Sequence, residues 1–297
     1  MGRPDRLVSL LAGKIARLRA REDFRAGPTR ALFRRMLWRL HWVLTRRPWR
    51  VMTAAGFPLW IAKTGSGALV YYQGISEPET ASFLSRYLRQ GMVVADAGAH
   101  FGEFTVLAAL LVGCGGEVHA FEPHEELYGL LERNVAALGL SQVRLNRCAL
   151  SDADGEAVFW ERAEPASSSL AWGSAGEGDV SRIRKVRTRT LDSYFAAASR
   201  LPDLIKADVE GAERRVLLGA RGLCSLPAER APVWLLEYSV TACARLGEEA
   251  PALTEQLEDF GYRCYRLDRD GSLMPWSPPG PPHFPTVNLV AAKRSLA

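Results

Sequence analysis

The sequence predicts a doubly wound α/β fold, and two observations carry that prediction. The apolar run Met92–Ala95 is typical of a buried parallel strand, and it leads into a turn bracketed by Gly98 and Gly102. Strand-like and helix-like segments then alternate from about residue 90 onwards. Because a helix is predicted directly after the turn, over 103–112, the three segments together resemble the nucleotide-binding half of such a fold.

An acid in this turn indicates the chemistry of the ligand. Dinucleotide-binding folds use G-x-G-x-x-G, whereas here Asp96 replaces the first glycine and the pattern is D-x-G-x-x-x-G. A carboxylate at that position repels a pyrophosphate but suits an ammonium group, such as that of S-adenosylmethionine (SAM). Glu122 follows a predicted strand over 117–121, at the position where an acid accepts hydrogen bonds from ribose hydroxyls. The alternative is an α/β domain without a nucleotide, in which Asp96 only caps the turn.

The remaining segments complete the predicted sheet. We predict helices over 80–89 and 125–138 and strands over 143–146, 204–207, 233–236, 262–267 and 286–292. The Pro-rich segment 276–285 joins the last two strands and cannot form a central strand. An insertion at about 156–190 is expected to form a β-hairpin from strands over 156–160 and 185–190. The ligand-binding domain is therefore placed at 90–297.

Residues 1–50 differ in charge from the rest of the chain. They contain 14 Lys and Arg against 3 Asp and Glu, whereas the remainder has 24 against 30. Basic amphipathic helices are predicted over 7–19 and 29–45, and such helices can lie on an anionic membrane or contact nucleic acid. A helical lid or a self-association arm is the alternative. Residues 51–89, with a β-hairpin predicted over 58–73, lead from this arm into the core.

Cysteine usage and hydropathy limit the cellular compartments in which the protein is expected. The five cysteines form no C-x-x-C pair and have no histidine at metal-ligand spacing, which favours a reducing compartment and argues against a structural zinc site. No apolar run approaches the roughly 18 residues that a membrane span needs. We therefore expect a cytoplasmic protein, with contact to the inner face of a membrane through the basic arm as a further expectation.

Six short motifs occur in a fixed order along the chain. They are Asp96-Ala-Gly-Ala-His-Phe-Gly102, Ala120-Phe-Glu-Pro123, Ala149-Leu-Ser-Asp152, Ser168-Ser-Leu170, Thr190-Leu-Asp192 and Ile205-Lys-Ala-Asp-Val-Glu-Gly-Ala-Glu213. In this order they resemble the FkbM-type methyltransferases, over about residues 74–240, and the last motif is the most specific. One departure is His100, where an Asn is more usual; a neutral imidazole donates and accepts only in the right tautomer.

The resemblance implies a Rossmann-like class I methyltransferase sheet, with the N-terminal helical and β-hairpin extension outside it. It also implies a SAM-dependent O-methyltransferase that acts on a hydroxyl group of a sugar, a glycan or a small natural product. An RNA methyltransferase that uses the basic arm, and a non-catalytic SAM-binding module, remain alternatives. No D/N-P-P-Y/F string follows the strand over 204–207, which makes methylation of base amines in nucleic acids less favoured.

Acidic residues follow several of the predicted strands, at the edge where a doubly wound sheet binds its ligands. Removing a proton from an alcohol needs such an acceptor, and Asp208, Glu210 and Glu237 are preferred in that order. Lys206 could stabilise the alkoxide, unless it points to the other face of the sheet. Asp208 could instead cap a helix over 210–220.

The predicted site therefore contains two sets of residues. The candidate catalytic residues are Asp208, Glu210, Glu237 and Lys206, and the candidate cofactor-binding residues are Glu79, Asp96, Gly98, Ala99, His100, Gly102, Glu122, Pro123, Leu150, Ser151 and Asp208. No metal is predicted, because the paired ligand signature of catechol-type O-methyltransferases is not evident.

Overall fold

The computed structural model describes residues 27–162, 169–170, 180–277 and 286–296. It divides into two compact units, of which the first ends at Ser76 and the second begins at Glu77. The helix predicted over 7–19, residue Ser168 of the fourth motif and most of the Pro-rich segment lie outside the described residues.

The first unit contains two helices and a two-stranded sheet. These elements are α1 (Pro28–Leu44), β1 (Trp49–Met52), β2 (Pro58–Ile61) and α2 (Gly65–Gln73). The two strands pair antiparallel, with Trp49 opposite Ile61. Helix α1 confirms the helix predicted over 29–45.

The hairpin predicted over 58–73 is wrong in its second half. Residues 65–73 form helix α2, and the strand that pairs with β2 is β1 on its N-terminal side. The side chain of Thr64 caps α2 by accepting a hydrogen bond from the backbone N–H of Gly67 at 3.0 Å. A Cβ on Gly67 would lie 2.3 Å from the carbonyl oxygen of Ala62, so only glycine permits this tight first turn.

The second unit alternates strands and helices largely as predicted. Its helices are α3 (Pro78–Tyr87), α4 (Glu103–Val112), α5 (Glu125–Ala137), α6 (Leu191–Ala196), α7 (Glu213–Leu218), α8 (Arg221–Cys224), α9 (Val240–Arg245) and α10 (Pro251–Asp259). Its strands are β3 (Val93–Ala97), β4 (Glu117–Phe121), β5 (Val143–Asn146), β6 (Ala149–Leu150), β7 (Gly155–Arg162), β8 (Ser169–Leu170), β9 (Val180–Arg189), β10 (Leu204–Ala207), β11 (Val233–Tyr238), β12 (Arg263–Leu267), β13 (Leu273–Pro275) and β14 (Val287–Ala292).

The main sheet has eight strands in the order β13-β12-β14-β11-β10-β3-β4-β5. Strands β5, β4, β3, β10 and β11 are parallel, and β14 runs antiparallel between β11 and β12. This order confirms the predicted doubly wound, Rossmann-like α/β fold. The strand order reverses between β3 and β10, and ligands bind at such a switch point in open α/β sheets.

The insertion forms a sheet of its own rather than extending the main sheet. Strands β7 and β9 pair antiparallel, as predicted for a hairpin, and β6 and β8 add to them in the order β6-β9-β7-β8. This sheet is therefore an appendage to the core.

The register of β3 and β10 divides the central strands between the core and the site. Ala95 and Ala97 of β3 lie opposite Ile205 and Ala207 of β10, and all four pack in the same buried cluster as Trp234. Since side chains alternate along a strand, the residues between them point to the other face. Asp96 and Lys206 are opposite each other on that face. Asp96 lies inside β3 rather than after it, because the strand continues to Ala97.

Among the described residues, no helix combines the length and the apolar character needed to cross a bilayer.

The capping role of Thr64 gives a test of the corrected element. Thr64→Ala should lower the local stability of α2 by about 1 kcal/mol, because the N–H of Gly67 loses its acceptor. Thr64→Ser keeps the hydroxyl and serves as the matched control. Hydrogen exchange of the amides in 65–73 would measure the effect, and equal protection in both variants would contradict the cap.

Candidate active site

Lys206 stands at the centre of a group of carboxylates. Its side chain is buried, and its Nζ lies 3.3 Å from Oδ2 of Asp208 and 3.9 Å from Oδ1 of Asp96. The ring of Phe104 is 5.3 Å from the same nitrogen, within cation–π range. Burial alone would lower the pKa of Lys206, but the charges of Asp208, Asp96 and Glu77 outweigh it and raise that pKa. Lys206 is therefore a firmly protonated ammonium that offsets several negative charges.

Asp96 is only 2% exposed, and its two carboxylate oxygens differ. Oδ2 accepts a hydrogen bond of 2.6 Å from the hydroxyl of Thr105 in α4. Oδ1 has no hydrogen bond to any described residue. Burial raises the pKa of Asp96, whereas Lys206 and the bond from Thr105 lower it. A buried carboxylate oxygen that accepts no hydrogen bond has acceptor capacity for a ligand.

Asp208 begins a loop that touches the glycine turn. Its backbone N–H donates to the carbonyl of Ala97 at 3.1 Å. A Cβ on Gly98, whose φ is +77°, would lie 1.9 Å from the carbonyl oxygen of Asp208, so a glycine is required for the two loops to meet. The alternative role of Asp208 as a helix cap is wrong, because α7 begins only at Glu213 and its N-cap is Ala212.

The loop after Asp208 is held by Glu213, which sequence reasoning did not assign. The carboxylate of Glu213 accepts from the backbone N–H groups of Val209 at 2.8 Å and Gly211 at 3.2 Å. Burial raises the pKa of Glu213 to about 7, and these bonds oppose the shift. Between the two N–H groups, Glu210 adopts a left-handed φ of +57°. Glu213 could have been identified from the sequence as an acid in the first turn of a helix that follows a glycine, where a carboxylate can accept from backbone N–H groups.

The structure brings the three preferred proton acceptors together. Asp208, Glu210 and Glu237 each offer one carboxylate oxygen, and these oxygens lie within 4.8 Å of one another. Burial raises the pKa of Glu237 to about 10, and the charges of Asp208 and Glu210 add to the shift. Glu237 therefore carries a proton at neutral pH. Oxygens at this spacing could also ligate a divalent cation, a set that the sequence did not reveal.

Glu77 is a further member of the group that the sequence did not predict. Its Oε2 accepts hydrogen bonds from Thr80 at 2.8 Å and from the amide of Asn288 at 2.9 Å. Asn288 lies opposite Glu237 in the β11–β14 register, so Glu77 is held at the same edge. Burial and the charge of Asp208 raise the pKa of Glu77, whereas Lys206 lowers it. Glu79 lies two residues later, in the first turn of α3, and its cofactor role stays a prediction.

Glu122 fixes the glycine turn from the next strand. Its Oε2 accepts from the backbone N–H of His100 and its Oε1 from that of His124, both at 2.8 Å. Burial raises the pKa of Glu122 to about 7, against these two bonds. The N–H groups of Gly98 and Ala99 both donate to the carbonyl of Phe121 at 3.0 Å, which completes the attachment of the turn to β4.

His100 has a left-handed backbone, with φ of +54°. Asn and His are among the residues that tolerate this region best, so the exchange of the more usual Asn for His preserves the turn. Burial lowers the pKa of His100 to about 3, and the imidazole is therefore neutral. Its Nε2 is buried and has no hydrogen bond to a described residue. Gly102 follows as the left-handed N-cap of α4.

The remaining predicted cofactor residues make fewer contacts that would indicate a role at the site. Leu150 is buried in the main core, and Pro123 directly follows Glu122. The hydroxyl of Ser151 donates to Asp152 at 2.9 Å. Their contacts to a cofactor stay predictions.

The residues of this edge fit SAM. A carboxylate has about four acceptor positions, so Glu122 keeps capacity for ribose hydroxyls beyond its two backbone bonds. Oδ1 of Asp96 lies 3.9 Å from Nζ of Lys206 but accepts no hydrogen bond from a described residue, so it keeps acceptor capacity for an ammonium group. The surrounding carboxylates favour a cationic ligand over a pyrophosphate.

The raised pKa of Glu237 predicts a pH effect in the protein without ligand. Because the folded-state pKa is about 10 and the ordinary value is 4.5, the unfolded chain releases this proton first as the pH rises. The free energy of unfolding should therefore fall between these two values, and Glu237→Gln should show a shallower fall. Chemical denaturation at a series of pH values would measure both slopes. Glu255→Gln, on the exposed face of α10, is the control, and an unchanged slope in Glu237→Gln would contradict the assignment.

Comparison with solved structures finds several methyltransferases at low similarity. An FkbM methyltransferase from Methylobacillus flagellatus KT is 15% identical with a TM-score of 0.44, and the alignment covers 78% of this chain and 56% of that one. An rRNA methylase from Streptococcus thermophilus is 13% identical with a TM-score of 0.42, covering 73% and 95%. A SAM-dependent O-methyltransferase from Thermotoga maritima is 14% identical with a TM-score of 0.40, covering 84% and 80%.

The sequence itself gives the decisive comparison. No curated protein matches the chain. The family model of the methyltransferase FkbM domain matches residues 96–264, which is more than half of the chain. The motifs suggested a match over about 74–240, so the observed match begins later and ends later. It includes the glycine turn, Glu122 and the whole Ile205–Glu213 segment. The chain therefore belongs to the FkbM methyltransferase family and is a SAM-dependent methyltransferase.

Proposed function

We propose that this methyltransferase transfers the methyl group to a hydroxyl of a sugar, a glycan or a small natural product. The observation that carries the proposal is the arrangement of Asp208 beside Lys206, with Glu210 and Glu237 around it, at the switch point of the sheet. When bound, SAM supplies an electrophilic methyl group on a cationic sulfur. An alcohol acceptor additionally requires a group that takes its proton, and this edge of the sheet offers carboxylates for that task.

Asp208 is the best placed proton acceptor. Its side chain is 27% exposed, compared with 3% for that of Asp96, so an acceptor molecule can reach it. Lys206 contacts Oδ2 and leaves Oδ1 for a substrate hydroxyl. With SAM bound, the hydroxyl oxygen would take the methyl group as the bond between that carbon and the sulfur breaks, so that neutral S-adenosylhomocysteine would leave and Asp208 would take up the hydroxyl proton. Lys206 limits the charge that develops on the oxygen and holds the Asp208 side chain in position.

Glu237 has a different role because it is protonated. A neutral carboxyl group donates a hydrogen bond, whereas a carboxylate only accepts. Because its raised pKa keeps Glu237 protonated, its O–H can donate a hydrogen bond to the hydroxyl oxygen of the substrate and so orient that hydroxyl. Glu210, within 4.8 Å of both, is the second candidate for proton uptake.

The experiment is a methyl-transfer screen with the full chain. Labelled SAM is offered with a panel of glycosides and polyketide-type alcohols, and in parallel with RNA, and the labelled products are mapped by NMR and mass spectrometry. We expect label on a hydroxyl oxygen of a small molecule or glycan. Label confined to RNA or to nitrogen would contradict the proposal, as would SAM binding without transfer to any acceptor.

The acceptor found in this way allows a test of Asp208. Asp208→Asn should lower the single-turnover rate about 10²–10⁴-fold, the usual contribution of a positioned general base. Affinity for SAM should stay within about threefold, because the change affects the chemical step rather than uniform binding. Asp259→Asn, at the exposed end of α10, is the matched control. A wild-type rate in Asp208→Asn would show that Asp208 is not the proton acceptor and would leave Glu210 as the candidate.

A further inference from the structure

Helix α1 has two apolar faces, and only one of them is buried. Ala31, Trp38 and Trp42 are 2–8% exposed. A second set of large apolar residues on the same helix is 47–74% exposed, and it consists of Leu32, Phe33, Met36, Leu40, Val43 and Leu44. Their spacing of three, four and seven residues places them on one side of the helix. We call this set the apolar stripe.

The buried face already provides the packing that the helix needs. The ring of Trp38 lies 5.3 Å from that of Trp42 and 5.5 Å from that of Tyr71, and it stacks on Trp49 at 6.5 Å. The guanidinium of Arg34 lies 4.7 Å from the centre of the Tyr71 ring. These contacts attach α1 to the rest of the first unit through its buried face, and none of them involves the apolar stripe.

Every charged side chain among the described residues of the first unit is basic. Residues 27–76 contain seven Arg and one Lys and not a single Asp or Glu. At 100° per residue, Arg39 borders the stripe on one side and Arg30 on the other, and both are exposed. Arg46 and Arg47 follow the end of the helix and are also exposed.

We propose that the apolar stripe and its arginines bind the surface of an anionic lipid bilayer, with α1 lying in the plane of the interface. An apolar face flanked by basic residues is the pattern of interfacial helices. The helix does not span the bilayer, because its 17 residues include four arginines. This inference concerns the first unit and does not depend on the proposed acceptor.

Two other partners fit this surface less well. Nucleic acids are bound by cationic grooves with aromatic side chains on which bases stack, whereas the stripe is mostly aliphatic and Phe33 is its single aromatic residue. A second copy of the chain would bring the arginines beside one stripe close to those beside the other, which Coulomb repulsion opposes. An anionic bilayer complements both the apolar and the basic part.

Vesicle flotation of the full chain tests the proposal. We expect binding to vesicles of phosphatidylcholine with about one-third phosphatidylserine, little binding to phosphatidylcholine alone, and loss of binding at high salt. Met36→Glu with Val43→Glu should weaken binding about tenfold or more, because two charges would enter the apolar layer. Arg30→Gln with Arg39→Gln should weaken it about fivefold for each arginine.

The matched control is Ile183→Glu, which changes a residue of β9 that is 63% exposed and should leave binding unchanged. Val43→Ser with Leu44→Ser, at the helix end, provides a milder pair if the glutamates reduce helicity in circular dichroism. Absence of flotation, equal binding to neutral vesicles, or full binding by both stripe pairs would overturn the proposal. So would salt-sensitive RNA binding that depends on the arginines alone, or a dimer that Met36→Glu dissociates.

Discussion

The convergence of carboxylates on Lys206 is the constraint on which the rest of the site depends. Asp96 and Asp208 lie within 3.9 Å and 3.3 Å of one buried ammonium, and Glu77 adds a third negative group. A single positive charge cannot balance all of them. Burial and the neighbouring carboxylates raise the pKa of Glu237 to about 10, so that its carboxyl group keeps a proton. The remaining negative charge at the switch point complements a cationic ligand, and this preference agrees with a SAM-dependent family.

Backbone contacts make this convergence possible. Gly98 lets the turn after β3 approach the carbonyl of Asp208, where any Cβ would collide. Glu213 and Glu122 then fix the two loops by accepting hydrogen bonds from two backbone N–H groups each. These two buried acids stabilise the loops, whereas the carboxylates of Asp208, Glu210 and Glu237 each offer an oxygen within 4.8 Å of the others. Carboxylates of one sheet edge thus serve two purposes, and their hydrogen-bond partners distinguish them.

Much of the fold and of the central site could be predicted because the signals are local. The strands, the glycine turn and the acids in or just after the ends of the strands are adjacent in sequence, so their positions in a doubly wound sheet follow from chain order. Glu77 could not be found in this way, because its partner Asn288 is 211 residues away. Helix α2 was predicted as a strand because its apolar run suits either state, and the cap at Thr64 and the packing of Tyr71 on Trp38 decide it.

Removing the charge of Lys206 tests the central claim most directly. The measurement is the free energy of unfolding of Lys206→Met and of the wild type, from about pH 4 to pH 8. We predict a deficit of about 3 kcal/mol in the variant near pH 7, where the carboxylates lose their counter-charge. The deficit should shrink as the pH falls and the carboxylates take up protons, because the ion pairs contribute only while both partners are charged. A deficit that is the same at every pH would show that Lys206 acts through packing alone and would contradict the account.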